Sequence, residues 1–467
     1  MNTTQTQKPF YSQIFAALKG EEFDYTEIPL KKSIWLLSIP MIIELMMEST
    51  FAVVDMYFVG QLGPSAVSTV GLTEIYIYLI YAIGYGMAMG VTAIIARRTG
   101  EKDTKGAQNS AVQSILLAFI LSLPLAIAGI FFPQQLLGLM GADDWALNNG
   151  YPFMQWMLGT NVIITLLFVI NSIFRGAGDA VIAMWVLLIS NLINIALDPI
   201  LIFGLGPIPA MGLEGAAKAT VIGRGIGVLI QFYLLFKGSR HIRLQWNYIK
   251  ADLKLMIHIL KTCLGGIGQM FIGMLAWAFL QRILSDIGTN AVAASTIVIR
   301  IMMFTLMPAW GFSNAAATLV GQNLGAEKPD RAEKSVWQIG IYNMIFLIVV
   351  SIFYFFFNEE LMRIFTDDPE VIRIGAEWIQ ILSYSYFLYG WWMVSVQAFN
   401  GAGDTITPTW INFIFFWLIQ LPLAYLMAIF FNWSYSGVFW AVLISETAIG
   451  IFTLYLFSRG KWKNYKV

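Results

Sequence analysis

The sequence predicts an all-α polytopic membrane protein, with twelve transmembrane helices in two six-helix bundles related by a pseudo-two-fold axis along the membrane normal. Three observations carry that prediction. Apolar stretches of about 20 residues, long enough to cross a hydrocarbon core of roughly 30 Å, recur along the whole chain. Charged residues make up 12% of the 467 and hydrophobic ones 58%, where soluble domains carry roughly a quarter charged. The second half also repeats the first at one fixed offset. Ile173-Phe-Arg-Gly-Ala-Gly-Asp179 returns 225 positions on as Ala398-Phe-Asn-Gly-Ala-Gly-Asp404. Leu62-Gly63 with Ala66-Val67 returns as Ile287-Gly288 with Ala291-Val292, in the same register. Gly100 returns as Gly325, with Glu101-Lys102 answered one position out of register by Glu327-Lys328, and Met211-Gly212-Leu213 returns as Ser436-Gly437-Val438. A duplicated, mostly apolar chain is the sequence signature of a secondary transporter.

The elements follow in order. Residues 1–29 form an N-terminal tail in which Phe10, Tyr11, Ile14, Phe15 and Leu18 sit at helical spacing beside Lys19 and Glu21. An interfacial helix on the cytoplasmic leaflet is one reading and a disordered tail the other. No small-residue cleavage site follows the apolar run from Ile34, so the tail is not read as a cleaved signal. The N-lobe, 30–238, offers spans at Ile34–Phe58, Val70–Ala96, Ala111–Phe132, Phe153–Phe174, Ala180–Phe203 and Leu213–Phe236. A basic linker, 239–254, joins it to the C-lobe, 255–458. There the spans are Leu255–Leu284, Ala291–Val320, Val336–Phe357, Ala376–Phe399, Thr407–Phe431 and Val438–Phe457, with a tail at 459–467. Six spans return the chain to its starting side, so both halves share one orientation.

Positive charge sets that orientation. Arg97, Arg98, Lys102 and Lys105 follow the second span, and Lys237, Arg240, Arg243, Lys250 and Lys254 follow the sixth. Lys328, Arg331 and Lys334 follow the eighth; Arg459, Lys461, Lys463 and Lys466 follow the twelfth. The breaks Gly60–Ser65, Pro133–Pro152 and Gly204–Met211 hold no Lys or Arg, while Asn358–Arg373 holds two, Arg363 and Arg373. The positive-inside rule then places both termini in the cytoplasm.

Composition also excludes functions. Lys plus Arg and Asp plus Glu number 28 each, so no global field favours nucleic acid. One cysteine, Cys263, permits no intrachain disulfide, and His241 and His258 lack metal-ligand spacing. No nucleophile–base pair stands out, so neither an enzyme nor a cofactor is expected.

Chemistry must come from ionisable residues within spans, which are expensive there unless paired or wetted. Glu44, Glu48 and Asp55 of the first span fall within about 40° on one face, an acidic stripe. In the fifth, Asn191, Asn194 and Asp198 share a face. Pro199 beside them frees a backbone carbonyl. A carboxylate, an amide oxygen and a carbonyl suit Na⁺, or a proton shared between carboxylates; Thr220 of the sixth span would add a hydroxyl. The repeat places Leu280, Ile419 and Leu423 opposite Asp55, Asn194 and Asp198, so ion coupling is expected in the first half. The second half is aromatic, with Trp391, Trp392, Trp410, Trp417, Trp433 and Trp440, as cavity lining or as interfacial belt and core. Glu74 and Glu446 are further candidates for an acidic vestibule or substrate contact. Lys218 follows Glu214 at helical spacing as a helix-end pair, whereas Arg224, Arg282 and Arg300 have no partner assignable from sequence.

These motifs carry a resemblance. Val54-Asp55-Met-Tyr-Phe-Val-Gly-Gln-Leu-Gly63, Ala93–Gly100 with its Ala-Arg-Arg, Phe174–Asp179, Asn194–Gly204 and Gly215–Thr220 resemble the multidrug and toxic compound extrusion (MATE) transporters over nearly the whole chain. The resemblance implies an alternating-access antiporter in an inner (plasma) membrane. It would expel small organic, often cationic compounds in exchange for H⁺ or Na⁺, without a cofactor, as a monomer among membrane lipids. It also implies a cation site at Asp55, Asn194, Asp198 and Thr220. NorM-type members carry acids in the seventh and tenth spans. Here the seventh has none and the tenth only Glu377 at its start, which points to the DinF-like branch. Glu44 and Glu48 lie outside the expected motif; a wet acidic vestibule around Asp55 would explain them. The alternative within the superfamily is a lipid-linked oligosaccharide flippase, whose pyrophosphate headgroup calls for a basic cavity.

Overall fold

The computed structural model describes residues 18, 23–238, 242–244 and 250–465. The tail positions Phe10, Tyr11, Ile14 and Phe15 and most of the basic linker lie outside them. Among the described residues, eleven helices are long and apolar enough to cross a membrane. In the first half these are α1 Leu30–Gly60, α2 Pro64–Gly100, α3 Thr104–Phe131, α4 Ala146–Ala177, α5 Ala180–Phe203 and α6 Gly212–Lys237. In the second they are α7 Leu253–Ile287, α8 Thr289–Gly325, α9 Pro329–Phe356, α11 Ile406–Phe430 and α12 Ser434–Ser458. The expected tenth span is present as two shorter pieces, Pro369–Ser383 and Tyr386–Ala402, together α10. Its break at Tyr384 and Ser385 matches a break in α4 at Thr160, 225 positions earlier.

The repeated Gly-Ala-Gly-Asp motif is first of all a helix stop. Gly178 and Gly403 end α4 and α10 in the left-handed region, at φ 96° and 92°, where a Cβ is penalised. Asp179 N donates to Phe174 O at 2.8 Å and Asp404 N to Phe399 O at 3.0 Å, the backbone pairing that closes a helix C-terminus. The other glycine of each motif serves packing. A Cβ on Gly176 would lie 3.0 Å from Thr92 O, and one on Gly401 2.3 Å from Ala317 O.

The same offset relates contacts between the lobes. A Cβ on Gly86 of α2 would meet Ile267 Cα of α7 at 2.4 Å, and one on Gly311 of α8 would meet Ile42 Cα of α1 at 2.7 Å. A Cβ on Gly100 would likewise collide with Gln322 O, and one on Gly325 with Arg97 O. Residues 42 and 267, 86 and 311, 97 and 322, and 100 and 325 are all repeat mates, so the interface is a pseudo-two-fold.

That interface occupies one end of the molecule. Gly90–Ala96 and Ala315–Gly325 are buried without interruption, toward the basic loops, whereas Val67, Ile75, Tyr78, Met303 and Phe304 at the other ends of α2 and α8 are exposed. The lobes thus close at the basic-loop end and part at the opposite one. The chain's ends reinforce the closure. Arg331 donates to Tyr25 O at 3.0 Å and to Ile28 O, Lys328 pairs with Glu27 at 3.0 Å, and Arg97 donates to Tyr465 O at 3.0 Å.

Candidate functional site

Helices α5 and α6 approach each other through small residues. A Cβ on Gly223 would lie 2.8 Å from Ser190 O, and one on Gly215 2.4 Å from Leu201 O, so larger residues would force the helices apart. Ser190 Oγ donates to Gly223 O at 2.9 Å across this seam. The close approach brings Asn194 to Thr220, with Asn194 Nδ2 donating to Thr220 Oγ1 at 3.2 Å. Thr220 in turn donates to Ala216 O at 3.1 Å. Asp198, one turn beyond Asn194, is fully buried. Asp55 arrives from α1, which packs along α5, and lies within Coulombic reach of Asp198.

The chemistry of this group lies in what it lacks. Both Asp198 carboxylate oxygens, Asn194 Oδ1 and Asp55 Oδ1 are enclosed with no hydrogen-bond donor. Pro199 cannot donate to the Ile195 carbonyl one turn back, which leaves another oxygen without its helical partner. Burying a carboxylate unpaired costs several kcal/mol. Hard oxygen donors around such a deficit fit a small cation such as Na⁺ or a proton. Asn191 stands apart, with Nδ2 donating to Met47 O at 3.4 Å.

Glu44 and Glu48 depart from the expected acidic vestibule. Glu44 is 3% exposed and accepts from Arg175 at 3.0 Å and Asn171 at 3.1 Å. Asn171 Oδ1 accepts from Gln231 at 2.7 Å. Glu48 pairs with Arg224 at 2.9 Å, which also donates to Tyr81 Oη at 3.3 Å and lies 5.4 Å from the Phe51 ring centre. Each acid is neutralised by an arginine from another helix, so neither forms a wet acidic wall. Asp55 is the acid on that face of α1 without a hydrogen bond among the described residues.

Other candidates are dispersed. Glu74 on α2 is part-exposed and faces the charge of Arg300 on α8, across the open side between the lobes. Glu446 lies mid-way along α12, beside Tyr386 and Tyr389 of α10. Lys218 pairs with Glu214 at 2.8 Å and Arg282 with Asp286 at 3.2 Å, both within one helix. Sequence reasoning missed Arg175, Asn171, Gln231 and Tyr81. A usable signal existed for Arg175: an arginine closing an apolar span needs a buried acid, and α1 offers three.

The MatE family model matches residues 40–200 and again 262–426, once in each half of the duplication. The chain belongs to the MatE family. This MatE protein is a membrane transporter and not an enzyme. It is 28% identical to a Thermotoga maritima protein named probable multidrug resistance protein NorM, across 94% of this chain and 95% of that one. It is equally 28% identical to a Shewanella oneidensis protein named FAD transporter, across 92% and 95%. A solved structure described as the outward-facing conformation of a multidrug resistance MATE family transporter superposes with a TM-score of 0.88 at 25% identity, covering 96% of this chain and 100% of that one.

Proposed function

We propose that this MatE transporter is a cation-coupled antiporter that exports organic, cationic or amphipathic compounds by alternating access. The observation that carries the reading is the group of donorless oxygens on Asp55, Asn194 and Asp198 beside Thr220. A proton or Na⁺ entering from the open side neutralises the carboxylates and lets α1, α5 and α6 repack. That repacking favours release of a cationic guest, and by linkage a bound guest weakens the hold on the ion. The basic loops are assigned to the cytoplasm of a plasma (inner) membrane, with both termini there, and the protein works as a monomer. Coupling confined to the N-lobe accords with a DinF-like member. A pyrophosphate-bearing lipid is disfavoured because Arg224 and Arg282 are engaged by Glu48 and Asp286 and Arg300 faces Glu74.

The test is ethidium efflux from proteoliposomes under an imposed pH or Na⁺ gradient. One gradient drives efflux by the wild type and neither drives it with Asp198→Asn. Unchanged gradient-driven efflux in that variant would reject the proposed coupling site.

A further inference from the structure

We propose that the C-lobe carries its own binding site for an organic cation, in which Glu446 supplies the charge and Tyr389 and Trp392 supply aromatic walls. The assignment rests on the reading of the protein as an exporter of organic compounds, and it adds a site separate from the ion-coupling group of the N-lobe.

Four observations converge on it. Glu446 stands in the middle of α12 with no hydrogen bond or ion pair among the described residues, yet keeps part of its surface accessible. A carboxylate so placed in a membrane span is a functional residue by default, because nothing in the fold compensates it. Second, its surroundings are aromatic. Tyr386 and Tyr389 lie within its Coulombic reach, and Tyr389 meets Trp392 edge to face at 4.7 Å, with Phe416 of α11 6.0 Å beyond Trp392. Third, the indole N–H of Trp392, a member of the same cluster, is enclosed and has no acceptor. Fourth, this part of the lobe is held and shaped. Thr305 Oγ1 sits 2.9 Å from Tyr386 Oη and 2.8 Å from Tyr354 Oη, fixing α10 just past its break. The facing stretch of α11, Phe413–Gln420, is wound as a π-helix, a form that recurs at functional sites.

The repeat shows that this chemistry belongs to one lobe. The mates of Tyr389, Trp392 and Glu446 in the first half are Ile164, Leu167 and Val221, all aliphatic. Conversely, the mates of Asp55, Asn194 and Asp198 are Leu280, Ile419 and Leu423. One scaffold therefore holds oxygens for a small, strongly hydrated ion in its first copy. In its second it holds π faces and one carboxylate, a setting that favours a weakly hydrated organic ammonium or iminium.

Equilibrium binding of ethidium and of its uncharged dihydro form, followed by fluorescence anisotropy on purified full-length protein in nanodiscs, tests the site. Glu446→Gln is expected to weaken ethidium binding about tenfold or more and to leave the uncharged form within about twofold. Trp392→Leu is expected to weaken ethidium several-fold, and it decides the matter if Glu446→Gln melts early. Ethidium binding unchanged in both variants, or absent from the wild type, would overturn the site. Wild type that binds ethidium through Glu446 but transports under neither gradient would instead overturn the antiporter reading and leave the site standing.

Discussion

At the scale of single residues, the carboxylates divide into those the fold satisfies and those it leaves in deficit, and the two groups predict opposite stability effects. Glu44→Ala strands Arg175 and Asn171 in the interior. Breaking a buried pair from one side costs about 3–5 kcal/mol, so the melting temperature in detergent is expected to fall by several degrees. Asp198→Asn removes a charge that has no partner, so that variant is expected to melt at or above the wild-type temperature while losing coupled transport. A clear drop in its melting temperature would mean that Asp198 is a structural residue. Thr220→Val deletes one interhelical hydrogen bond, worth about 0.6 kcal/mol in such a setting, so its effect should appear in ion dependence and scarcely in melting. The sequence showed Asn194 and Asp198 on one face because helical spacing is local. It concealed the Glu44–Arg175 and Glu48–Arg224 pairs because they join helices far apart in the chain.

At the scale of helices, glycine governs how the lobes close. Gly100 and Gly325 allow α2 and α8 to meet at the basic-loop end, where any Cβ would collide with the backbone of the other lobe. Gly100→Ala and Gly325→Ala should each weaken that closure. Cys263 offers a native reporter, since it is buried at the α2–α7 contact with Sγ 3.6 Å from Met87 O. Its alkylation by a maleimide is expected to be slow in the wild type and several-fold faster in either alanine variant. Equal rates would show that the glycines do not control closure. The spans and both glycine motifs were legible in the sequence, because apolar length and left-handed stops leave local marks. The breaks in α4 and α10 and the π-helical stretch of α11 were not, because they answer to packing against neighbours that a local pattern does not encode.

At the scale of the whole molecule, the duplication explains both the symmetry and the division of labour. Contacts that join the lobes obey the repeat, pairing Gly86 with Ile267 and Gly311 with Ile42. Residues that carry charge into the lobes break it, with Asp55 and Asp198 in one copy and Glu446 in the other. A symmetric hinge with unlike sites on its two sides suits the proposed exchange of an ion for an organic guest. The two-bundle plan and the asymmetry of the acids were readable from the fixed offset alone. Which acids stay free was not, because that depends on where Arg175 and Arg224 reach in space.

The central claim is that movement of the guest and movement of the ion are one process. Its most direct test starts from the guest side, in proteoliposomes with no imposed ion gradient. An ethidium gradient alone should drive counterflow of H⁺, read by an internal pH dye, or of Na⁺, read by tracer uptake, and Asp198→Asn should abolish it. Ethidium that moves down its gradient while neither ion moves would contradict the account.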